Sequence, residues 1–321
     1  MQFPSRSRRS LLAAVVLAAG AACAHAQANV TKMVVPFPAG GVTDAAARVV
    51  AESMARQLGE TIIIDNRPGA GGRIGIDAVA KAPADGRTLL FTNTSYSILP
   101  VVEPKLAFDP AKALAPVGMS GTYSLQIVTR RNLPASTLQE FIAYAKKNPG
   151  KLSYGSAGIG SGAHFAGEYF KALTGTALVH VPYKSTTAAL ADVAGGLLDL
   201  AFDASTKPLV DAGRVKLLAV TGDKRDPRFP NTPTAVEAGL PAFAAMQSWV
   251  GVLAPAGTPQ PVLDRLHAAA SAAAADPAVQ KRLADLGIQA QGGPAARLGT
   301  AIRDDLVLYR KIAADAKLRF E

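Results

Sequence analysis

The sequence has one cysteine, Cys23, and it falls in the N-terminal stretch. A chain that sheds that stretch has no disulfide, no thiolate nucleophile and no cysteine-based metal site, so its stability rests on apolar cores. Histidine is nearly as scarce, with only four in 321 residues. His164, His180 and His267 stand far apart, with no H-E-x-x-H pair and no His/Asp grouping at metal-ligand spacing. A G-x-S-x-G elbow is missing, because the position two before Ser161 is Ile159. No long basic run and no basic stripe interleaved with aromatics occurs, which removes the footprint of nucleic-acid binding. No apolar run reaches the about 20 residues that a membrane-spanning helix needs, and no tandem repeat is visible.

What is present begins with an export signal. Arg6, Arg8 and Arg9 form a positive n-region, an apolar stretch runs from Leu11 to about Ala22, and Ala24-His25-Ala26 fits small-x-small cleavage. Cleavage after Ala26 is expected, with export to the periplasm. Ser7-Arg8-Arg9-Ser10-Leu11-Leu12 fits either an ordinary leader or a twin-arginine one. Cys23 is a weak lipidation site, since Gly20 stands where lipoprotein leaders carry leucine. Removing 26 of the 321 residues leaves 295, long for one core and comfortable for two. The formal charge of +10 falls to +7 without the leader's three arginines, a balance that steers anions toward the protein.

Strand-like and helix-like segments alternate along the rest, the pattern of an α/β protein with parallel sheets. Expected strands are Lys32–Phe37, Thr61–Ile64 (buried), Leu89–Phe91, Leu152–Tyr154, Val179–Val181, Leu198–Phe202 and Leu217–Val220. A helix is expected from Thr43 to Leu58, with Ala46, Val49, Val50 and Met54 on its apolar face and Arg48, Glu52 and Arg56 as a solvated ladder. Thr137-Leu138-Gln139-Glu140 reads as a capping box. Phe165, Tyr169, Phe170 and Leu173 form a core stripe on a later helix, and His180 and Trp249 read as core. Val117–Thr129 and Trp249–Leu253 read as extended runs that bridge two lobes, and helices over 259–275, 277–286 and 294–318 close the chain.

Strand ends open into glycine-rich turns that feed helix starts, at Phe37–Asp44, Arg67–Gly75 and Gly155–His164. The first turn of a helix has unpaired N–H groups and a partial positive charge, so such turns bind anions without a cationic side chain. Ligands of open α/β sheets sit beyond the carboxyl ends of the strands. From spacing alone each turn also reads as a plain tight turn, Asp44 as a first-turn acid, His164 as a surface partner of Glu168 and Arg67 as a solvated loop residue. Gly158-Ile159-Gly160-Ser161-Gly162-Ala163 matches G-x-G-x-x-A, a weak dinucleotide pattern in an exported chain.

The turns also carry a family likeness. Val34-Val35-Pro36-Phe37-Pro38-Ala39-Gly40-Gly41-x-x-Asp44, Asn66-Arg67-Pro68-Gly69-Ala70-Gly71-Gly72, Tyr154-Gly155-Ser156-Ala157-Gly158-x-Gly160-Ser161, Val181-Pro182-Tyr183-Lys184, Leu218-Ala219-Val220-Thr221 and Ala254-Pro255-Ala256-Gly257-Thr258-Pro259 follow one another in family order. On these stretches the chain resembles the periplasmic substrate-binding receptors of tripartite tricarboxylate transporters, the Bug receptors. The resemblance implies a two-lobed periplasmic-binding-protein fold of the type II class with two crossing hinge strands. It implies lobe 1 over 27–123 and 248–321, and lobe 2 over 124–247. Carried over by position, Phe37, Pro38, Ala39, Gly40, Gly41 and Asp44 contact a ligand carboxylate from lobe 1. Gly158, Gly160, Ser161 and His164 contact it from lobe 2, partly through ordered waters. Thr92, Ser95 and Asp203 line the distal pocket. Where the family continues with glycine after Lys184, this chain has Ser185-Thr186-Thr187, a departure that reads either as added ligand contacts, Ser185 among them, or merely as a helix start.

The expectation is therefore a monomeric, non-enzymatic periplasmic receptor that needs no cofactor or metal and does not bind nucleic acid. It captures a small organic acid or amino acid and delivers it to membrane transporter subunits. Two alternatives stand beside it: a ligand-sensing partner of a signalling receptor, and, remotely, a secreted hydrolase using Ser161 and His164.

Overall fold

The computed structural model of the chain describes residues 30–103, 106 and 109–320. The expected leader, its cleavage point and Cys23 lie outside the described residues. Two sheets organise the fold. The first contains β1 (Val30–Val35), β2 (Thr61–Asn66), β3 (Thr88–Asn93), β4 (Leu114–Ser124), β10 (Gln247–Pro255) and β11 (Gln289–Ala290), in the order β11-β4-β10-β3-β1-β2. The second contains β5 (Gln126–Arg130), β6 (Leu152–Ser156), β7 (Leu178–Pro182), β8 (Leu200–Asp203) and β9 (Val215–Val220), in the order β7-β6-β8-β5-β9.

The sheets are mixed, which corrects the expectation of parallel sheets. β1 pairs in parallel with β2 and β3, and β6 with β7 and β8. The strands next to the lobe crossings run the other way: β10 is antiparallel to β3 and β4, and β5 to β8 and β9. Nor is Val117–Thr129 one bridging strand. It breaks at Leu125, whose N–H donates to Thr221 Oγ1 (2.9 Å) while its carbonyl accepts from Thr221 N–H (2.8 Å). Those bonds replace the ladder, so β4 stays in one sheet and β5 in the other. Thr221 directly follows β9, so these bonds extend the β5–β9 pairing by one position, while the returning strand β10 runs antiparallel along β4.

Helix α1 (Val42–Leu58) covers the first sheet, with Ala46, Val49, Val50 and Met54 buried against Met33, Val35, Leu89 and Phe91. Burying a side chain of Met54's size contributes about 1.5–3 kcal/mol. Its polar face departs from the expected ladder. Arg56 pairs with Glu52, but Arg48 turns back to Asp44. Beyond α2 (Arg73–Ala80) and α3 (Ser95–Val102), the other helices of this lobe are α8 (Gln260–Ala275), α9 (Pro277–Asp285) and α10 (Ala295–Asp315). Edge strand β2 is half-covered rather than buried, and Ile63 is 51% exposed. Trp249 is core as expected, and its indole N–H donates to Asp305 on α10 at 2.7 Å.

The second sheet carries α4 (Leu138–Lys147), α5 (Gly162–Thr174), α6 (Thr186–Gly195) and the short α7 (Lys207–Asp211). Thr137 and Glu140 form the expected capping box at α4. On α5, Phe165, Tyr169 and Phe170 are buried, whereas Leu173 in the last turn is exposed. Gly167 lies on the Tyr154 ring, where a Cβ would overlap the ring carbons. That close approach sets α5 low on β6 and lets Tyr154 donate to Glu168 at 2.6 Å. The chain's end reaches across from the first lobe: Tyr309 and Phe320 put their rings 5.0 and 5.8 Å from Phe165. Among the described residues no helix is long and apolar enough to cross a membrane.

Candidate functional site

Both sheets point carboxyl ends of strands at a shared cleft of about 650 Å³, part of it open solvent. β1 delivers Phe37 and Pro38, and β3 delivers Asn93, Thr94 and Ser95. Across from them β6 leads to Ala157 and Ser161, β7 to Ser185 and Thr187, and β8 to Phe202 and Asp203. Tyr123, Leu125 and Ser248 line it from the crossing strands.

The polar character of this cleft comes from helix starts. α1 begins at Gly41 with no side-chain cap, so its first-turn N–H groups at Val42 and Thr43 face the opening without an internal partner. α5 is capped by Ser161, whose Oγ accepts from His164 N–H (3.2 Å) and donates to Gly158 O (2.7 Å). α6 is capped by Ser185, whose Oγ accepts from Ala188 N–H (3.1 Å). Each start carries a partial positive charge. Among the described lining residues there is no lysine, arginine or histidine, and Asp203 alone carries a formal charge. An anion here is met by main-chain amides and hydroxyls.

Asp44 orders the first-lobe turn without lining the cleft. Its Oδ2 accepts from Gly40 N–H (3.0 Å) and Arg48 Nε (3.0 Å), and its Oδ1 from Arg48 Nη2 (3.0 Å) and Asn66 Nδ2 (2.8 Å). Burial opposes its ionisation, but these hydrogen bonds outweigh it and hold the carboxyl below its ordinary range. Asn66 also donates to Phe37 O (3.0 Å), so one side chain ties the ends of β1 and β2 together.

The sequence-predicted residues thus divide. Phe37, Pro38, Gly41, Ser95, Ser161, Ser185 and Asp203 line one cavity. Asp44, Ala39 and Gly40 do not line it; they shape the turn behind it. Thr92 is fully buried one residue short of the opening. Gly158 lies at the outer seam, and Gly160 packs on Leu99 and Gly71.

His164 departs furthest from expectation. It is neither a surface partner of Glu168 nor a cavity-lining side chain. Glu168 is taken by Tyr154 and Lys171. The His164 ring is 0% exposed, stacked on His180 at 4.3 Å and edge-on to Phe320 at 5.5 Å. Burial, with the charges of His180 and Lys171, pushes its imidazole down to about 3, so it is neutral near pH 7. Gly160 N–H faces its Nδ1 at 3.4 Å. No hydrogen bond joins that ring to Ser161 Oγ, so the pair lacks the nucleophile–base geometry that the hydrolase alternative requires.

Sequence reasoning did not single out Tyr123, Asn93, Thr43 and Ser248. Asn93 Nδ2 donates to Thr43 Oγ1 at 2.9 Å. Burial raises the Tyr123 phenol to about 12, with Asp203's charge adding to it against hydrogen bonds from Ser248, Thr43 and Asn93. It is a neutral hydroxyl at physiological pH. These four come from separate strands and helices, and no local motif joins them.

The lobes are in contact along one edge of the cleft. Gly162 N–H donates to Ser95 Oγ at 3.2 Å. Gly71, at φ +63°, sits so close to Ile159 O that a Cβ there would overlap the carbonyl oxygen.

Comparison with known proteins gives this geometry a family. The model of the tripartite tricarboxylate transporter family receptor matches residues 46–317. A protein of the tcbD-tcbE intergenic region of Pseudomonas sp. strain P51 is 35% identical over 320 residues, covering 97% of this chain and 95% of its own. The solved periplasmic binding protein BugD superposes with a TM-score of 0.86 at 35% identity, covering 91% of this chain and 99% of its own. MatC of Rhodopseudomonas palustris, solved with bound malate, gives 0.84 at 33% identity, with 88% and 98% covered. The chain belongs to the tripartite tricarboxylate transporter receptors, the Bug family of two-lobed periplasmic solute-binding proteins.

Proposed function

We propose that this receptor captures a small carboxylate between its lobes and hands it to a membrane transporter of the tripartite tricarboxylate type. Residues 27–123 and 248–321 would move as one lobe and 124–247 as the other, in a monomer released by cleavage after Ala26. The carrying observation is a cleft whose positive potential comes from the starts of α1, α5 and α6, with no basic side chain among its described lining residues. Hydrogen bonds to a charged group contribute about 1.5–3 kcal/mol each. Three or four, less the cost of ordering the ligand, support micromolar binding at about −8 kcal/mol. Malate bound to MatC supports the same ligand class.

Calorimetry of the protein against organic acids tests the reading, with native mass spectrometry to identify any ligand retained from the cell. Asp44→Ala loosens the Phe37–Gly41 turn and is expected to weaken the best ligand about fivefold, roughly 1 kcal/mol, with the fold intact by circular dichroism. Unchanged affinity would separate that turn from binding. Loss of cellular uptake of the same acid on gene deletion distinguishes delivery from sensing, since a purely sensory partner leaves uptake in place.

A further inference from the structure

The cleft is electrically lopsided. Donors line one part of it, at the starts of α1, α5 and α6, while the described lining residues include one formal charge, and that charge is negative. Asp203 ends β8 with its side chain in the cavity lining and is 3% exposed. Its Oδ1 is occupied by the N–H of Ser205 (2.6 Å) and by the Ser205 hydroxyl. Its Oδ2 accepts no hydrogen bond from the described residues. Asp203 shares the cavity lining with Tyr123, Thr43, Asn93 and Ser248. A carboxylate oxygen in a largely enclosed residue that still opens on the cleft is a place where a cation or hydrogen-bond donor of a ligand can be met. Elsewhere in this protein the buried carboxylates Asp44 and Asp226 have arginine partners; Asp203 does not.

We propose that Asp203 selects a zwitterionic ligand: an amino carboxylate whose carboxylate is held by the helix starts and whose ammonium meets Asp203 Oδ2. This rests on the receptor reading above and narrows it. A dicarboxylate of the same length sets its second carboxylate against Asp203 in a partly enclosed cleft, where the repulsion is screened less than in bulk water, a mismatch that acts against the wrong ligand. Asn93, Tyr123 and Ser248 supply neutral hydrogen-bonding groups around that end, which hold an ammonium without supplying a counter-charge of their own.

The test is a thermal-shift and calorimetric panel on the wild-type protein and Asp203→Asn. The probes are the common α-amino acids, short ω-amino carboxylates and dicarboxylates of matching length. The wild type is expected to bind its best amino carboxylate at least about tenfold more tightly than the matching dicarboxylate. Asp203→Asn is expected to lose about tenfold for the amino carboxylate and to gain for the dicarboxylate. A wild type that prefers dicarboxylates overturns the selection and leaves the receptor reading standing, even if the variant does not fold. An Asp203→Asn protein with the wild-type preference also overturns it. A panel in which no carboxylate of any kind binds overturns both.

Discussion

Gly71→Ala is expected to weaken ligand binding at least about tenfold, a loss of about 1.4 kcal/mol or more. In the closed arrangement Gly71 faces Ile159 O across the seam, and an added Cβ would overlap that oxygen. The obstacle is backbone on the opposite lobe, so no side-chain rotation relieves it. The lobes must part, and parting them separates the starts of α5 and α6 from that of α1. The αL conformation adds a penalty of roughly 1–2 kcal/mol for any non-glycine residue, so the variant needs a matched control. Gly59→Ala provides it, because Gly59 has φ +66° and nothing within 4 Å of its Cβ position. Calorimetry is expected to show full affinity in Gly59→Ala and reduced affinity in Gly71→Ala. Equal affinity in the two would mean that the seam does not close in the bound state.

The second large effect is acid destabilisation through His164. An unfolded histidine titrates near 6.5, but burial keeps the folded His164 neutral down to about 3. Between those values the unfolded chain binds a proton that the folded chain refuses. The stabilisation is therefore complete above pH 6.5 and is lost as pH falls toward 3. At pH 5 the loss amounts to about 2 kcal/mol, at about 1.36 kcal/mol per unit. His180, stacked on it, is also pushed down by burial and by Lys171, against the pull of Glu168, and adds in the same direction. Asp305 opposes them. Burial raises its carboxyl to about 6, so its contribution is full below about 3.8 and lost as pH rises through 6. The histidine effect is thus read as a difference. Denaturant unfolding of His164→Gln is expected to lie below wild type at pH 8 and to converge with it by pH 5. Parallel pH profiles would remove His164 from the acid limb.

Asp44 shows how a site residue was legible in sequence while its role was not. The turn Phe37–Asp44 stood out because Pro38, Gly40 and Gly41 precede a strongly periodic helix. That Asp44 clamps the turn depends on Arg48 one helical turn away and on Asn66 at the end of the neighbouring strand, 22 residues on. His164 shows the same division more sharply. Its distance of four from Glu168 reads as a surface pair, yet Phe320 from the far end of the chain covers its ring. Spacing along a helix says which residues share a face and nothing about what arrives to bury that face.

The sequence by itself determined the alternation of strands and helices, the apolar faces of α1 and α5, the capping box of α4, the glycine turns at strand ends, and the family. All of these follow from local periodicity, turn chemistry and motif order. The tertiary structure decided that the sheets are mixed, that the long extended run breaks at Leu125, and that Tyr123, Asn93, Thr43 and Ser248 join Asp203 in one cavity. Those outcomes depend on hydrogen bonds and burial between residues tens to hundreds of positions apart, and such contacts leave no period or spacing in the chain to be read.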